Sequence, residues 1–292
     1  MSILFLSSSG WDYNMAFIRY GDWWRRHMRT FHQFFNSKAV GTFEPVKLKT
    51  RRQLLRNLLD TPENFSEHFK YSVGRVIMDA VYAIDIKPEN DPFLTIMHIA
   101  LEIKNLPDWF PGIPFKSFAK KYRPHTQNAA NLPFNVVKNR ESPDYSFVST
   151  SLERLRKMED PQPDGETIIK DVSGTAYSAG ATTTYAVVLQ AIVASLLYPG
   201  MQKKLQEELD RVLGDRLPNL EDRKDLPYFN AFFAEVMRWR PPLPLVIPHA
   251  VLENDVYEEY FIPKGSVIIA DSWCDLVSPR LFFPDLNNLV HR

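Results

Sequence analysis

TAYSAGATTTYAVVLQAIVASLL (Thr175–Leu197) is the stretch on which the reading of this chain turns. It is far longer than a strand and carries no proline before Pro199, so it predicts a long, largely buried helix. With Asp164 as N-cap and Tyr198-Pro199-Gly200 as the stop, the helix would span on the order of 45 Å at about 1.5 Å per residue. Its middle breaks local rules. Gly180 costs about 1 kcal/mol in a helix interior, and Thr182, Thr183 and Thr184 set three β-branched hydroxyl residues beside it. On these residues alone two explanations stay open. Gly180 could admit a neighbouring helix while the threonines bond back to carbonyls one turn earlier. Alternatively, the helix opens at its centre to hold a small molecule and a water, with a hydroxyl to pass protons.

Working outward, MQKKLQEELDRVL (Met201–Leu213) predicts a charged amphipathic surface helix, followed by the polar stretch Pro218–Leu226. YFNAFFAEVMRWR (Tyr228–Arg240) is helical by period, with Glu235 and Arg238 three apart on one face among Phe232, Phe233, Val236 and Met237. A charge pair in such a setting reads as a structural clamp, whose loss of one member would cost about 3–5 kcal/mol. Pro241-Pro242 ends that helix. Beyond it, Val246–Val251, Asp255–Ile262 and Ser266–Ala270 predict short strands, the last two joined by a type II turn at Pro263-Lys264-Gly265.

On the other side, RYGDWWRRHMRTFHQFF (Arg19–Phe35) predicts about five helical turns rich in Trp and Arg. Arg25 and Arg29 share a face. Guanidinium forks beside an indole N–H suit a carboxylate-bearing ligand, and a solvated basic face is the plainer alternative. Further helices are predicted over Thr50–Leu59, Ser66–Ala83, Phe93–Ile103, Phe115–Asn128 and Tyr145–Glu159, with Pro-rich connections at Lys87–Pro92 and Asn105–Pro114. The fold class is therefore mainly α with a small β region (α+β). Residues 1–292 read as one domain, helical to about 242 and β over about 243–275.

Composition narrows the function classes. Formal charge is zero with the basic residues dispersed, which argues against a nucleic-acid partner. One cysteine excludes an internal disulfide framework and a multi-cysteine metal site. No run has the twenty or so unbroken apolar residues of a membrane span, so the chain as given reads as soluble or peripheral.

Four motifs together resemble the heme-thiolate monooxygenases of the cytochrome P450 family, most closely its fungal members. AGATTT (Ala179–Thr184) is similar to the oxygen-binding signature of that family's central helix, and EVMR (Glu235–Arg238) to its Glu-x-x-Arg motif. YGDWWRRHMR resembles the helix whose Trp and Arg reach the heme propionates, and FIPKGSVIIADSW (Phe261–Trp273) the β-hairpin and strand that follow. Each motif is weak alone; four in family order are strong. The resemblance implies heme b (iron protoporphyrin IX), dioxygen, an apolar small-molecule substrate, and NAD(P)H as electron source through a reductase partner. It implies Thr183 as proton-relay threonine, with Ala179 and Gly180 where the helix opens for dioxygen. Trp24, Arg25, Arg29 and His249 would lie near propionates, Glu235 and Arg238 would clamp the heme-binding core, and Val246 and Ile247 would face substrate. For a full-length member it implies the endoplasmic reticulum membrane.

Several positions depart from the family pattern. Thr182 stands where an acidic residue usually precedes the relay threonine, and Met28 where an arginine is usual. Asp171 lies two to three turns from that point, too far to serve directly as the missing acid. Cys274 follows Trp273 without a glycine loop and reads as a small core residue rather than the iron ligand. The family's cysteine loop would lie beyond Arg292, and the N-terminal anchor and first strands are likewise not seen. The expectation is therefore an incomplete fold of the family, unable as given to ligate heme through a thiolate and without a metal ligand of its own. A monooxygenase, a peroxide-using heme enzyme of the same fold, and a non-catalytic remnant are the three functions these residues allow.

Overall fold

The decisive helix forms where its sequence signals put it. In the computed structural model it occupies Gly165–Leu197, 33 residues, and Pro199 both stops it and opens the next helix at its first turn. The structure describes residues 9–36, 43–88, 90–102, 115–160 and 162–273; Cys274 and the Asn105–Pro114 connection lie outside them. The chain divides into two compact units, residues 1–182 and 183–292, with the boundary inside this helix.

The first unit is helical. Its described elements are α1 (Asp22–Phe34), α2 (Glu44–Asp60), α3 (Phe65–Tyr82), α4 (Pro92–Glu102), α5 (Phe115–Lys138), α6 (Phe147–Arg156) and the first half of α7 (Gly165–Leu197). Its core is where their apolar faces meet: Met78, Val81 and Tyr82 of α3, Phe134 and Val137 of α5, Phe147, Val148 and Leu152 of α6, and Ile169, Val172 and Tyr177 of α7. Each fully buried side chain of this size contributes about 1.5–3 kcal/mol relative to exposure. Two glycines let α7 sit deep. A Cβ on Gly174 would come within 2.8 Å of the Tyr13 ring and 3.0 Å of Ala130 Cβ, and one on Gly180 within 3.0 Å of Ile77 Cδ1.

Three helices differ from expectation. α1 is 13 residues rather than about five turns, because the chain is extended at Gly21 and the Arg19–Tyr20 end stays outside the helix. α2 begins at Glu44, well before Thr50, with Pro45 in its first turn, where a missing N–H costs nothing. α5 runs on to Lys138 through Pro124 and Pro133, although an interior proline costs about 3 kcal/mol. Ala129, Ala130, Phe134 and Val137 are all buried on this helix, and that packing outweighs local propensity.

The second unit holds the rest of α7, then α8 (Pro199–Leu213) and α9 (Pro227–Trp239), packed through Ala191, Ala194, Leu205, Tyr228, Phe232 and Val236. Glu208, which reads in sequence as one more surface carboxylate, is buried. Its two oxygens accept from the backbone N–H groups of Tyr228 (3.0 Å) and Phe229 (2.8 Å), so α8 caps α9. The β region is smaller and differently paired than predicted. Asp255–Ile262 is not one strand but a hairpin, β2 (Asp255–Tyr257) with β3 (Tyr260–Ile262), turning at Glu258 and Glu259, both at positive φ. Strand β1 is only His249–Ala250 and pairs antiparallel with β4 (Val267–Ile268). The turn at Pro263–Ser266 forms as expected, with Gly265 at φ 85° and the Ser266 N–H on the Pro263 carbonyl.

Candidate functional site

Both explanations of the broken helix centre find support on α7. Thr175 Oγ1 donates to the Asp171 carbonyl (2.8 Å), Ser178 Oγ to that of Thr175 (3.1 Å), and Thr182 Oγ1 to that of Ser178 (3.4 Å). These hydroxyls are also acceptors: Met15 N–H donates to Thr175 Oγ1 and Asn14 Nδ2 to Ser178 Oγ, each at 3.1 Å. The segment around Trp11–Phe17 is thereby stitched to the helix. With donor and acceptor sites both used, Thr175 and Ser178 are structural fastenings rather than proton carriers.

On another face of α7 the wall opens. Ala176, Ala179 and Gly180 border an open apolar cleft of about 520 Å³, walled by Met28 and Phe31 of α1 and by Ile77 and Ala80 of α3. Met15 lines it too, placed by its hydrogen bond to Thr175. The lining is almost wholly apolar, with Lys47 and Thr175 the exceptions, and the volume suits a large flat apolar ligand. Sequence reading singled out Ala179 and Gly180. It missed Ile77, Ala80 and Phe31, which look like ordinary core residues until four helices bring them to one space.

Of the carboxylate-binding candidates, Trp24, Arg25 and Arg29 ride on α1, the helix that gives the cavity Met28 and Phe31. Trp24 packs on Tyr20 with centroids 5.2 Å apart, and Arg25 lies over the same Tyr20 ring and 3.8 Å from Asp22. Half the Arg25 side chain is exposed, so its charge remains open to a further anion. Among the described residues no three His, Cys, Asp or Glu side chains gather as a metal site.

Thr182 is exposed and Thr183 half-buried, next to each other at the boundary of the two units. In the second unit Arg238 grips Glu235 with both arms, Nε to Oε2 at 2.7 Å and Nη2 to Oε1 at 2.6 Å. The side chains keep 18% and 22% of their exposure, so the figure for a fully buried pair must be discounted for solvent screening. His249 starts β1 and is exposed. Val246 is not in a strand: it sits at φ 52° in a turn closed by its N–H on the Leu243 carbonyl, and both it and Ile247 are exposed.

α7 is long and apolar enough, by length and composition, to cross a membrane, contrary to the reading of the bare sequence. Ile168, Ile169, Val172 and Tyr177 bury its first turns in the first unit's core, but only 11% of its apolar 18-residue window is buried, so the expectation of a largely buried helix holds for its first half alone.

The family model for cytochrome P450 matches residues 4–285. Among curated proteins, the chain is 33% identical over 94% of its length to a cytochrome P450 monooxygenase of Armillaria gallica. It is 35% identical over 95% of its length to the cytochrome P450 monooxygenase ple1 of Rhodocybe pseudopiperita. It spans 58% of the length of each of these relatives. Among solved structures, a zebrafish cytochrome P450 with progesterone superposes at a TM-score of 0.85 and 21% identity, covering 100% of this chain and 72% of that one. That likeness concerns the fold alone.

Proposed function

The chain belongs to the cytochrome P450 family, and on that premise we propose a heme-dependent monooxygenase that inserts one oxygen atom of dioxygen into an apolar organic molecule. The observation that carries the reading is the apolar cavity against Ala179 and Gly180, on the motif that the family uses for dioxygen. Arg25, Arg29 and Trp24 would hold the heme carboxylates, because two guanidinium forks and an indole N–H stand on a helix that walls the cavity. His249 would add a further propionate contact, and Glu235 with Arg238 would fix the fold around the cofactor. When bound, heme supplies the activation of dioxygen and the electron transfer from NAD(P)H through a reductase.

The protein's own part is positioning and proton traffic. Methyl and ring carbons of Ala176, Ala179, Phe31 and Ile77 would be covered by an apolar ligand seated there, which would exclude water and strengthen the polar interactions left inside. Thr183 would pass a proton through its hydroxyl. Thr182 adds no acid, and Oγ1 of Thr182 already donates to the Ser178 carbonyl. That lack of a carboxyl favours a second reading, a peroxide-using heme enzyme of the same fold, which needs fewer delivered protons. Val246 and Ile247 would contact substrate, and a full-length protein of this kind would work at the endoplasmic reticulum membrane.

A hemin titration of the chain, followed by the Soret band and by tryptophan quenching, tests the reading. We expect saturable binding near one hemin per chain. Losing one charge-assisted hydrogen bond costs about 1.5–3 kcal/mol, so Arg25→Ala/Arg29→Ala should bind more than tenfold weaker. Equal affinity of wild type and double variant would remove the proposed propionate site.

A further inference from the structure

We infer that the cleft takes an apolar molecule ending in one carboxylate, and that Lys47, Thr50 and Arg51 of α2 hold that carboxylate. Lys47 is the one charged side chain among the described residues that line the cleft. Thr50 and Arg51 follow it by three and four positions, so all three share one face of α2. Thr50 is 3% exposed and its Oγ1 has no hydrogen-bond partner among the described residues, and neither has the buried Nε of Arg51. On α3, Ser72 stands one turn before Val76, itself a cleft residue, and the buried Ser72 Oγ lacks a partner too. Three of the six such orphaned atoms among the described residues thus flank one stretch of two helices that pack together, beside the cation that lines the cleft. A buried donor left unpaired bears its desolvation cost in full, so a cluster of them calls for an acceptor.

The donor set selects the ligand's polar end. An ammonium, a guanidinium N–H and hydroxyls all donate, which suits an anion's oxygens and excludes an amine. Glu44, 3.9 Å from Lys47, offsets one of the two cations. One positive charge is left, which matches a monoanion better than a phosphate. The rest of the lining selects an apolar body: Phe31, Phe35 and Ile77 are rigid or branched, while the unbranched side chains of Met15 and Met28 adapt to an irregular shape. On the monooxygenase reading this names the substrate class as an apolar acid, but the binding itself needs no heme, whose carboxylates are assigned to α1.

Titration calorimetry of the 292-residue chain with dodecanoate, dodecanol and dodecyltrimethylammonium, each below its micelle-forming concentration, tests this. Dodecanoate should bind near one per chain and about tenfold or more tighter than dodecanol, the worth of a charge-assisted hydrogen bond. The cation should bind weakest. Each methylene removed from the acid should weaken it by up to about fourfold. Lys47→Met should close the gap between acid and alcohol. Thr50→Val removes a hydroxyl that no described protein group uses, so its Tm should match or exceed that of wild type while its affinity for dodecanoate falls. Equal affinity for acid and alcohol, an unchanged gap in Lys47→Met, or a Thr50→Val that melts lower yet binds dodecanoate as wild type does, overturns the inference. Hemin binding without dodecanoate binding overturns it and leaves the heme reading standing; dodecanoate binding without hemin binding does the reverse.

Discussion

Gly174→Ala and Gly180→Ala make the same chemical change six residues apart on one helix, and the structure gives them different outcomes. In a helix interior alanine is favoured over glycine by about 1 kcal/mol. At Gly174 the new methyl would lie 2.8 Å from Tyr13 Cε2, 3.0 Å from Ala130 Cβ and 3.5 Å from Ala130 Cα. None of these is a flexible side-chain end, and Ala130 is 2% exposed. Overpacking of this kind costs about 1–3 kcal/mol, leaving a net loss of up to about 2 kcal/mol. At Gly180 the first atom met is Ile77 Cδ1 at 3.0 Å, the tip of a rotatable side chain that borders the cavity and has room to turn. Most of the propensity gain should survive there. Gly180→Ala should therefore be the more stable variant by about 1–3 kcal/mol, a gap of several degrees in Tm at about 2–4 °C per kcal/mol. Urea unfolding and thermal melts of both variants measure it. If Gly174→Ala equals or exceeds Gly180→Ala in stability, the account of how α7 sits in the first unit is wrong. A stable Gly180→Ala with impaired ligand binding would further show that this glycine is kept for the cavity and not for the fold.

Glu208→Ala strands two N–H groups at the start of α9, so it should destabilise by about 2–6 kcal/mol at about 1–3 kcal/mol per buried donor, with Glu208→Gln retaining part of the loss; urea midpoints decide. Arg216, bonded in bidentate fashion to Asp222, together with the Asn219 N–H, lowers the Asp222 carboxyl to about 2. Its contribution is full above an unfolded value of about 3.9 and is lost as pH falls toward 2. Wild type and Asp222→Asn should thus differ at neutral pH and converge in acid, and an acid-independent difference would contradict the pairing. In a completed enzyme of this family carrying this segment, Thr182→Asp should raise the product formed per NAD(P)H consumed, since a positioned acid is typically worth about 10²–10⁴-fold; unchanged coupling beside full peroxide-driven turnover would favour the peroxide reading.

What the sequence determined by itself is what depends on neighbours along the chain. The limits of α7 follow from a long proline-free run and from Pro199, the Gly265 turn from its local signature, and the family from four short motifs in order. Pairing across the chain was decided only by the tertiary structure. The sequence reading ends α5 at Asn128, but burial of Phe134 and Val137 carries it through Pro133 to Lys138. Glu208 looks like one more surface carboxylate until α9 is packed beside it, and its role as a cap depends on an N-terminus 20 residues away. His27 reads as one basic residue among many in RRHMR, while its partner Asp171 is 144 positions distant. The cavity follows the same logic, because its walls come from four helices, α1, α2, α3 and α7, and no local pattern records that they meet. Periodicity fixes which face of a helix is apolar, but which apolar face meets which, and where a gap is left between them, is settled by packing shapes across the whole unit.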